Sequence, residues 1–138
     1  MSTLVMTVRE VLRYRGKEGQ LAWIGHRLAG LGTLLFFVIH VIDTSWVYFW
    51  PAGYEHAIAL YRSRPFLIGE LFLVLAVIYH GVNGLRVALM DWKPRLWARQ
   101  RELTLAAFVL TAVLYAPAFV IMMGHIINAW SATGVAAR

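Results

Sequence analysis

The sequence has no cysteine and few charged residues, and both absences restrict the chemistry open to the chain. Without cysteine it cannot hold an iron–sulfur cluster through its own thiolates or attach haem covalently through a CxxCH motif. Only 14% of the 138 residues are charged, against about 25% in ordinary soluble domains. No G-x-G-x-x-G or Walker motif is present, so flavin or nucleotide chemistry must belong to another chain.

Hydrophobic residues make up 60% of the chain, more than a soluble domain of this length can bury in one core. Three apolar stretches cover about 21–42, 66–90 and 103–127, and each has the ~20 residues that a helix needs to cross a bilayer. Backbone groups in lipid must be satisfied within the segment, which predicts α-helix. The predicted fold is an all-α integral membrane protein with three transmembrane helices, completed into a bundle by a partner subunit.

The predicted organisation has three parts. Residues 1–20 form an amphipathic segment on the cytoplasmic membrane surface, 21–130 the transmembrane domain, and 131–138 a short tail. The start does not resemble a cleavable signal, because several basic residues precede a much longer apolar run.

The basic residues indicate the orientation of the chain in the membrane. Eight flank the spans on one side, and only three lie on the other. The eight are Arg9, Arg13, Arg15, Lys17, Lys93, Arg95, Arg99 and Arg101. Since Lys and Arg concentrate in cytoplasmic loops, the N-terminus is predicted to be cytoplasmic and the C-terminus outside. The net charge of +6 could suggest a protein that binds nucleic acid, but the placement of the basic residues beside apolar runs argues against that function.

His80 is the strongest candidate for chemistry within the spans, where polar groups are costly. It precedes Asp91 by about 16 Å of helix, which places it near mid-membrane. Haem iron accepts a neutral imidazole nitrogen directly. Gly84, one turn further along, would let a flat macrocycle approach the helix. The alternative is a histidine hydrogen-bonded across helices, with the glycine as a packing contact.

Further candidates lie on the first span. Arg27, beside His26, can hold a haem propionate or polarise a quinone carbonyl, or it can extend to the interface. His40 follows His26 by two heptads and faces nearly the same way, about 21 Å away. Two stacked haems fit such spacing, but the interpretation that we favour is a hydrogen bond from His40 to a neighbouring helix. His125 is expected near the outer surface.

Two stretches resemble signatures of the cytochrome b subunit of succinate dehydrogenase. Residues 23–30 resemble its H-R-x-[ST]-G motif, and residues 79–86 with Asp91 resemble its Y-H-x-x-N-G-[IL]-R-x4-D motif. Residues 14–19 resemble the Y-R-G-x-x-G lead-in of the actinobacterial and Thermus-like branch. The resemblance extends over about 13–127.

This resemblance implies one of two membrane anchors in the bacterial inner membrane, which hold a flavoprotein and an iron–sulfur subunit at the cytoplasmic face. FAD and the iron–sulfur clusters then belong to those partner subunits. His80 falls at the position of the axial ligand of haem b, with the opposite ligand on the second anchor. His26 and Arg27 fall where the family contacts the haem propionates, and Arg27 also borders the quinone site.

The resemblance also implies that this chain has no catalytic residue and helps electrons to reach menaquinone or ubiquinone near Trp23 and Arg27. Trp23 stands where the family often has a serine near the quinone, and Ala29 replaces a serine or threonine. The alternatives are a fumarate reductase anchor, an anchor for two haems that uses His40 as well as His80, and a haem-free membrane scaffold.

Overall fold

The computed structural model describes residues 18–136, and the side chains of residues 18–128. The helices in this range are α1 (Glu18–Phe49), α2 (Pro51–Tyr61), α3 (Arg64–Trp92) and α4 (Gln100–Ala136), with a 3-10 helix (Pro94–Arg99) before α4. No strand occurs within this range. The predicted surface segment at 1–20 lies outside the described residues except for its last three, which already belong to α1.

Three of the helices, α1, α3 and α4, are long and apolar enough to cross a membrane, which confirms the predicted fold class. All three extend beyond the predicted spans, and α4 continues to Ala136, past residue 130 where the predicted tail begins. Glu18 and Glu102 lie in the first turns of α1 and α4, where a negative charge interacts favourably with the helix dipole. Pro65 lies in the first turn of α3, where the backbone needs no N–H donor.

The third helix, α3, is the centre of the bundle. It packs along both α1 and α4, which contact each other less. The α1 face in this contact carries small residues, with Ala22 and Ala29 buried seven positions apart. Small side chains let helix backbones approach closely, which is how helices associate in lipid.

Most of the apolar surface remains uncovered by the chain itself. In the most apolar segment of α1, α3 and α4, only 11%, 6% and 11% of the residues are buried, respectively. The buried set among the described residues includes polar side chains such as Asn83, Arg86 and Thr104. Lipid or partner helices must therefore cover the outer faces, while these polar side chains lie inside the bundle.

The bundle has two distinct ends, named here for the short helix at each. The α2 end contains the end of α1, all of α2 and the start of α3. The 3-10 end contains the start of α1, the end of α3 and the start of α4. At the 3-10 end Arg101 Nε lies 3.3 Å from Glu18 Oε1. Toward the α2 end the Tyr115 hydroxyl donates to the Leu71 carbonyl at 3.2 Å.

Candidate functional site

His26 of α1 and His80 of α3 form a stacked pair, called the histidine pair below. Their ring centroids are 4.2 Å apart and the ring planes differ by 2°. The Nδ1 atom of His80 lies 3.1 Å from the backbone carbonyl oxygen of His26. Since a carbonyl only accepts, Nδ1 must carry the hydrogen, and in a neutral ring the lone pair is then on Nε2. This arrangement orients the imidazole and leaves Nε2 as the nitrogen whose lone pair is available to a metal or a hydrogen-bond donor.

Glycines on each helix make room for the histidine on the other. A Cβ atom added to Gly30 would lie 2.8 Å from Cε1 of His80, closer than real Cβ contacts allow. One added to Gly84 would lie 3.5 Å from Cε1 of His26, an ordinary contact distance. A side chain at Gly30 would therefore displace the His80 ring, whereas one at Gly84 would only touch the His26 ring.

Tyr79 fixes the relative depth of α1 and α3 beside the histidine pair. Its hydroxyl donates to the backbone carbonyl of Ala22 at 3.0 Å, and a Cβ at Gly25 would lie 2.9 Å from its ring. On its other side the Tyr79 ring stacks on Phe108 of α4, with centroids 5.9 Å apart. A slide of one helix along the other would break these contacts together with the His80 hydrogen bond.

Asn83, Arg86 and Thr104 form a buried polar core at the 3-10 end. Their exposed fractions are 2%, 8% and 1%. Arg86 donates through its NH1 nitrogen to the Thr104 hydroxyl, and that hydroxyl donates to the Gln100 carbonyl at 2.8 Å. Arg86 is therefore buried in the bundle and bonded to α4, and it does not extend to the membrane interface.

Several buried polar atoms around this core have no hydrogen-bond partner among the described residues. They are His26 Nδ1, Asn83 Oδ1 and Arg86 Nε. Unpaired buried polar groups are costly, so native proteins satisfy them with water, a ligand or a partner. One of these atoms belongs to the histidine pair, and Asn83 and Arg86 follow His80 on α3 within two turns, so water, a ligand or a partner subunit must satisfy them.

Trp23 and Arg27 lie together on an exposed face of α1. The Arg27 guanidinium carbon is 4.3 Å from the centroid of the Trp23 ring, a cation–π distance. Trp23 is 54% exposed. A flat aromatic surface topped by a cation is thus available to lipid, to a small molecule or to another subunit.

These residues would suit a haem, with His80 Nε2 as the atom that would hold its iron. The described residues contain no group of three or more His, Asp or Glu side chains that could hold a bare metal ion. His80 Nε2 has no hydrogen-bond partner in the described range. His26 would not hold the same iron, because its ring stacks face to face on the His80 ring.

His40 is well separated from the histidine pair, toward the α2 end. Its ring is exposed and stacks on Phe36, with centroids 5.3 Å apart. It lines a cavity of about 690 Å³ between α1, α2 and α3, called the α2-end cavity below. Buried Asp43 also lines this cavity and accepts a hydrogen bond from the Tyr61 hydroxyl of α2. His125 is exposed on α4.

Sequence reasoning missed three parts of this arrangement. Thr104 gave no signal as the partner of Arg86, because only the pairing of α3 with α4 brings them together. The Asp43–Tyr61 hydrogen bond and the α2-end cavity were also missed. Asp43 offered a usable signal, since an acid at the edge of an apolar run requires a partner.

Two comparisons with known proteins bear on this site. The family model described as "Succinate dehydrogenase/Fumarate reductase transmembrane subunit" matches residues 7–133. The "Succinate dehydrogenase 2 membrane subunit SdhC" of Mycobacterium tuberculosis (strain ATCC 25618 / H37Rv) is 34% identical over 97 residues, which cover 67% of this chain and 71% of that protein. Both the histidine pair and the polar core lie within the range that the family model matches.

Proposed function

Because the chain belongs to the family of succinate dehydrogenase/fumarate reductase transmembrane subunits, we propose that it is the haem-b-binding membrane anchor of a succinate:quinone oxidoreductase. The observation that carries the proposal is the His80 ring. Its Nδ1–H is held by the His26 carbonyl and its Nε2 is left unpartnered among the described residues. A mid-bundle imidazole in that state is suited to bind iron.

The proposed contribution of this chain is to hold and orient the haem. The His26 carbonyl fixes the His80 tautomer, and Gly30 and Gly84 supply the space in which the two rings lie. His26 Nδ1 is buried without a partner and suits a hydrogen bond to a haem propionate. Arg27 adds a cation at the adjacent position of α1. A haem bound here supplies a one-electron redox centre whose potential its ligands and burial tune.

Quinone reduction is proposed to occur beside Trp23 and Arg27. The guanidinium over the indole ring is a positioned cation that stabilises negative charge developing on a quinone oxygen. The indole offers a flat apolar surface to the ring of menaquinone or ubiquinone. Without cysteine, the chain must receive its electrons from an iron–sulfur subunit, which a flavoprotein subunit supplies in turn.

The topology proposed with this function puts the N-terminus in the cytoplasm and the C-terminus outside. The 3-10 end, with Lys93, Arg95, Arg99 and Arg101 at or beside its short helix, then faces the cytoplasm. Trp23 and Arg27 lie toward the same end of α1. The proposed quinone site is therefore on the side where the iron–sulfur subunit docks, and the second membrane anchor completes the bundle.

The test is the haem b spectrum of the purified complex carrying His80→Ala, with His40→Ala as the matched control. We expect His80→Ala to abolish the reduced-minus-oxidised haem b signal and His40→Ala to retain it at the wild-type ratio of haem to complex. An unchanged spectrum in His80→Ala would overturn the ligand assignment. Halved haem in His40→Ala would establish the two-haem alternative, and no haem in the wild type would leave a membrane scaffold.

A further inference from the structure

The α2-end cavity is lined by apolar side chains along its length and by polar groups from α1, α2 and α3. The polar members are His40, Asp43, Thr44, Tyr54, Tyr61 and Glu70. Apolar walls with a few polar groups are typical of sites for small ligands, and about 690 Å³ lies within their usual range. Of the residues that line it, His40 alone has an expected role, as the ligand of an alternative second haem.

Both carboxyl groups lie toward the α2 end of their helices. Asp43 precedes the end of α1 at Phe49 by six residues, and Glu70 follows the start of α3 at Arg64 by six. Each is therefore about 9 Å inside its helix end. The apolar wall continues to Gly32, about 16 Å deeper along α1 than Asp43. The cavity thus runs from the interfacial depth, where its acids lie, toward the apolar middle of the bundle.

The charges of the lining residues restrict the occupant. Asp43 and Glu70 are acidic, and no Lys or Arg is among the described residues that line the cavity. One oxygen of Asp43, a residue only 6% exposed, accepts from Tyr61, while the other has no partner in the described range. Glu70 is exposed. A donor-rich cation fits this end, whereas the propionates of a haem or the head group of an anionic lipid would be repelled.

We propose that the α2-end cavity binds a phospholipid whose head group carries a primary ammonium, with the ammonium at Glu70 and Asp43 and an acyl chain along the apolar wall toward Gly32. The ammonium donates hydrogen bonds to the carboxyl groups, and the lipid packs between α1, α2 and α3. This proposal does not rest on haem or quinone binding, and needs only that the chain spans a membrane.

The first experiment measures which lipids co-purify with the detergent-extracted complex, by mass spectrometry. We expect phosphatidylethanolamine to be enriched over phosphatidylglycerol by about two- to fivefold relative to the surrounding membrane, the range that one or two partly exposed ion pairs provide. Glu70→Gln and Asp43→Asn should remove this enrichment. Glu55→Gln is the matched control, since Glu55 is exposed on α2 and does not line the cavity.

A second variant tests the cavity without changing its charge. Gly69 lines the cavity, and a Cβ there would meet no other atom within 4 Å, so Gly69→Leu fills empty space. Gly124→Leu is its control, because Gly124 also has open space but lies on α4, outside the cavity lining. Gly69→Leu should abolish the phosphatidylethanolamine enrichment and leave the haem spectrum unchanged, and Gly124→Leu should keep both.

Reconstitution separates the lipid from other occupants. Delipidated complex is reconstituted in phosphatidylcholine vesicles that contain either phosphatidylethanolamine or phosphatidylglycerol, and its thermal unfolding midpoint is recorded. The proposal requires a larger rise with phosphatidylethanolamine that is lost in Glu70→Gln. Equal rises with both lipids, enrichment that survives in Glu70→Gln and Gly69→Leu, or a porphyrin or quinone ring in the cavity density would overturn it.

Discussion

The two ends of the bundle treat polar residues in opposite ways. At the 3-10 end, Asn83, Arg86 and Thr104 are at most 8% exposed, and Arg86 bonds to Thr104 between α3 and α4. At the α2 end, His40 and Glu70 are exposed and line a cavity of about 690 Å³. Each histidine of the pair contacts the neighbouring helix closely, whereas His40 stacks on Phe36 of its own helix. The 3-10 end is thus a preorganised site, and the α2 end is a space that a ligand can enter.

The comparison teaches where substitutions should matter. A tightly packed polar site tolerates neither added volume nor a lost hydrogen bond, because the interior cannot relax around either change. A cavity tolerates added volume, because empty space receives it. We therefore expect the largest effects in the histidine pair and the polar core, smaller ones at the α2 end, and the smallest at an exposed ion pair.

Gly30→Ala should have the largest effect. Its Cβ would lie 2.8 Å from His80 Cε1, so the His80 ring must move. We expect a loss of about 3 kcal/mol, the upper end for overpacking, together with reduced haem content. Gly32→Ala is the control, since a Cβ there meets nothing within 4 Å. Unfolding in mixed SDS micelles and the haem b spectrum measure the two effects. Equal behaviour of the two variants would show that the His80 ring is not held against α1.

Thr104→Val should cost about 2 kcal/mol, because it leaves the buried Arg86 guanidinium without its acceptor. Thr111→Val is the matched control: this threonine is also buried, but its hydroxyl bonds only to the Ala107 carbonyl of its own helix at 2.8 Å. The same SDS unfolding measures both. If the two valine variants lose the same stability, the Arg86–Thr104 hydrogen bond contributes nothing to the contact of α3 with α4.

Tyr61→Phe should cost about 1 kcal/mol and increase hydrogen exchange in α2, because Asp43 loses its one hydrogen-bond donor in the described range. Tyr54→Phe, on the same helix, should change neither. The Asp43 hydrogen bond, burial and the Asp43 charge together raise the pKa of Tyr61 from 10.0 to about 12. The contribution of Tyr61 is therefore full below pH 10.0 and is lost as the pH rises through about 12.

Arg101→Gln should have the smallest effect, below about 0.5 kcal/mol. Its ion pair with Glu18 is short at 3.3 Å, but the Arg101 side chain is 77% exposed. Water and salt screen such a pair. The difference from wild type should shrink further between low and high salt in the same unfolding assay. A loss as large as that of Thr104→Val would contradict the division between buried and exposed polar contacts.

The number and kind of spanning helices followed from the sequence alone. Long apolar runs without charge must hydrogen-bond their own backbone N–H and C=O groups in lipid, and an α-helix does this within a single segment. His80 could also be identified as a candidate from its neighbours in the sequence, because a polar ring within an apolar run is costly however the helix packs. The role of His80 as a haem ligand stays a prediction, as do those of His26, Arg27, Gly84, His40 and Trp23.

The exact ends of the helices were harder to predict from the sequence. The predicted spans stop where hydrophobicity falls, but hydrogen bonding continues until a residue interrupts it. Helix α1 therefore runs on through Asp43 to Phe49, and α2 begins directly afterwards at Pro51. The buried Asp43 carboxyl group inside this helix accepts a hydrogen bond from Tyr61, eighteen residues later. No local pattern contains that pairing.

What the sequence determined by itself is therefore the part governed by transfer into lipid: an all-helical chain with three spans and a few polar side chains that need partners. Tertiary structure alone decided which partners they have. The stacking of His26 on His80, the donation from Arg86 to Thr104 and the cavity under α2 depend on how three helices slide and rotate against one another. Those degrees of freedom are set by contacts between residues far apart in the chain, which hydrophobic periodicity does not encode.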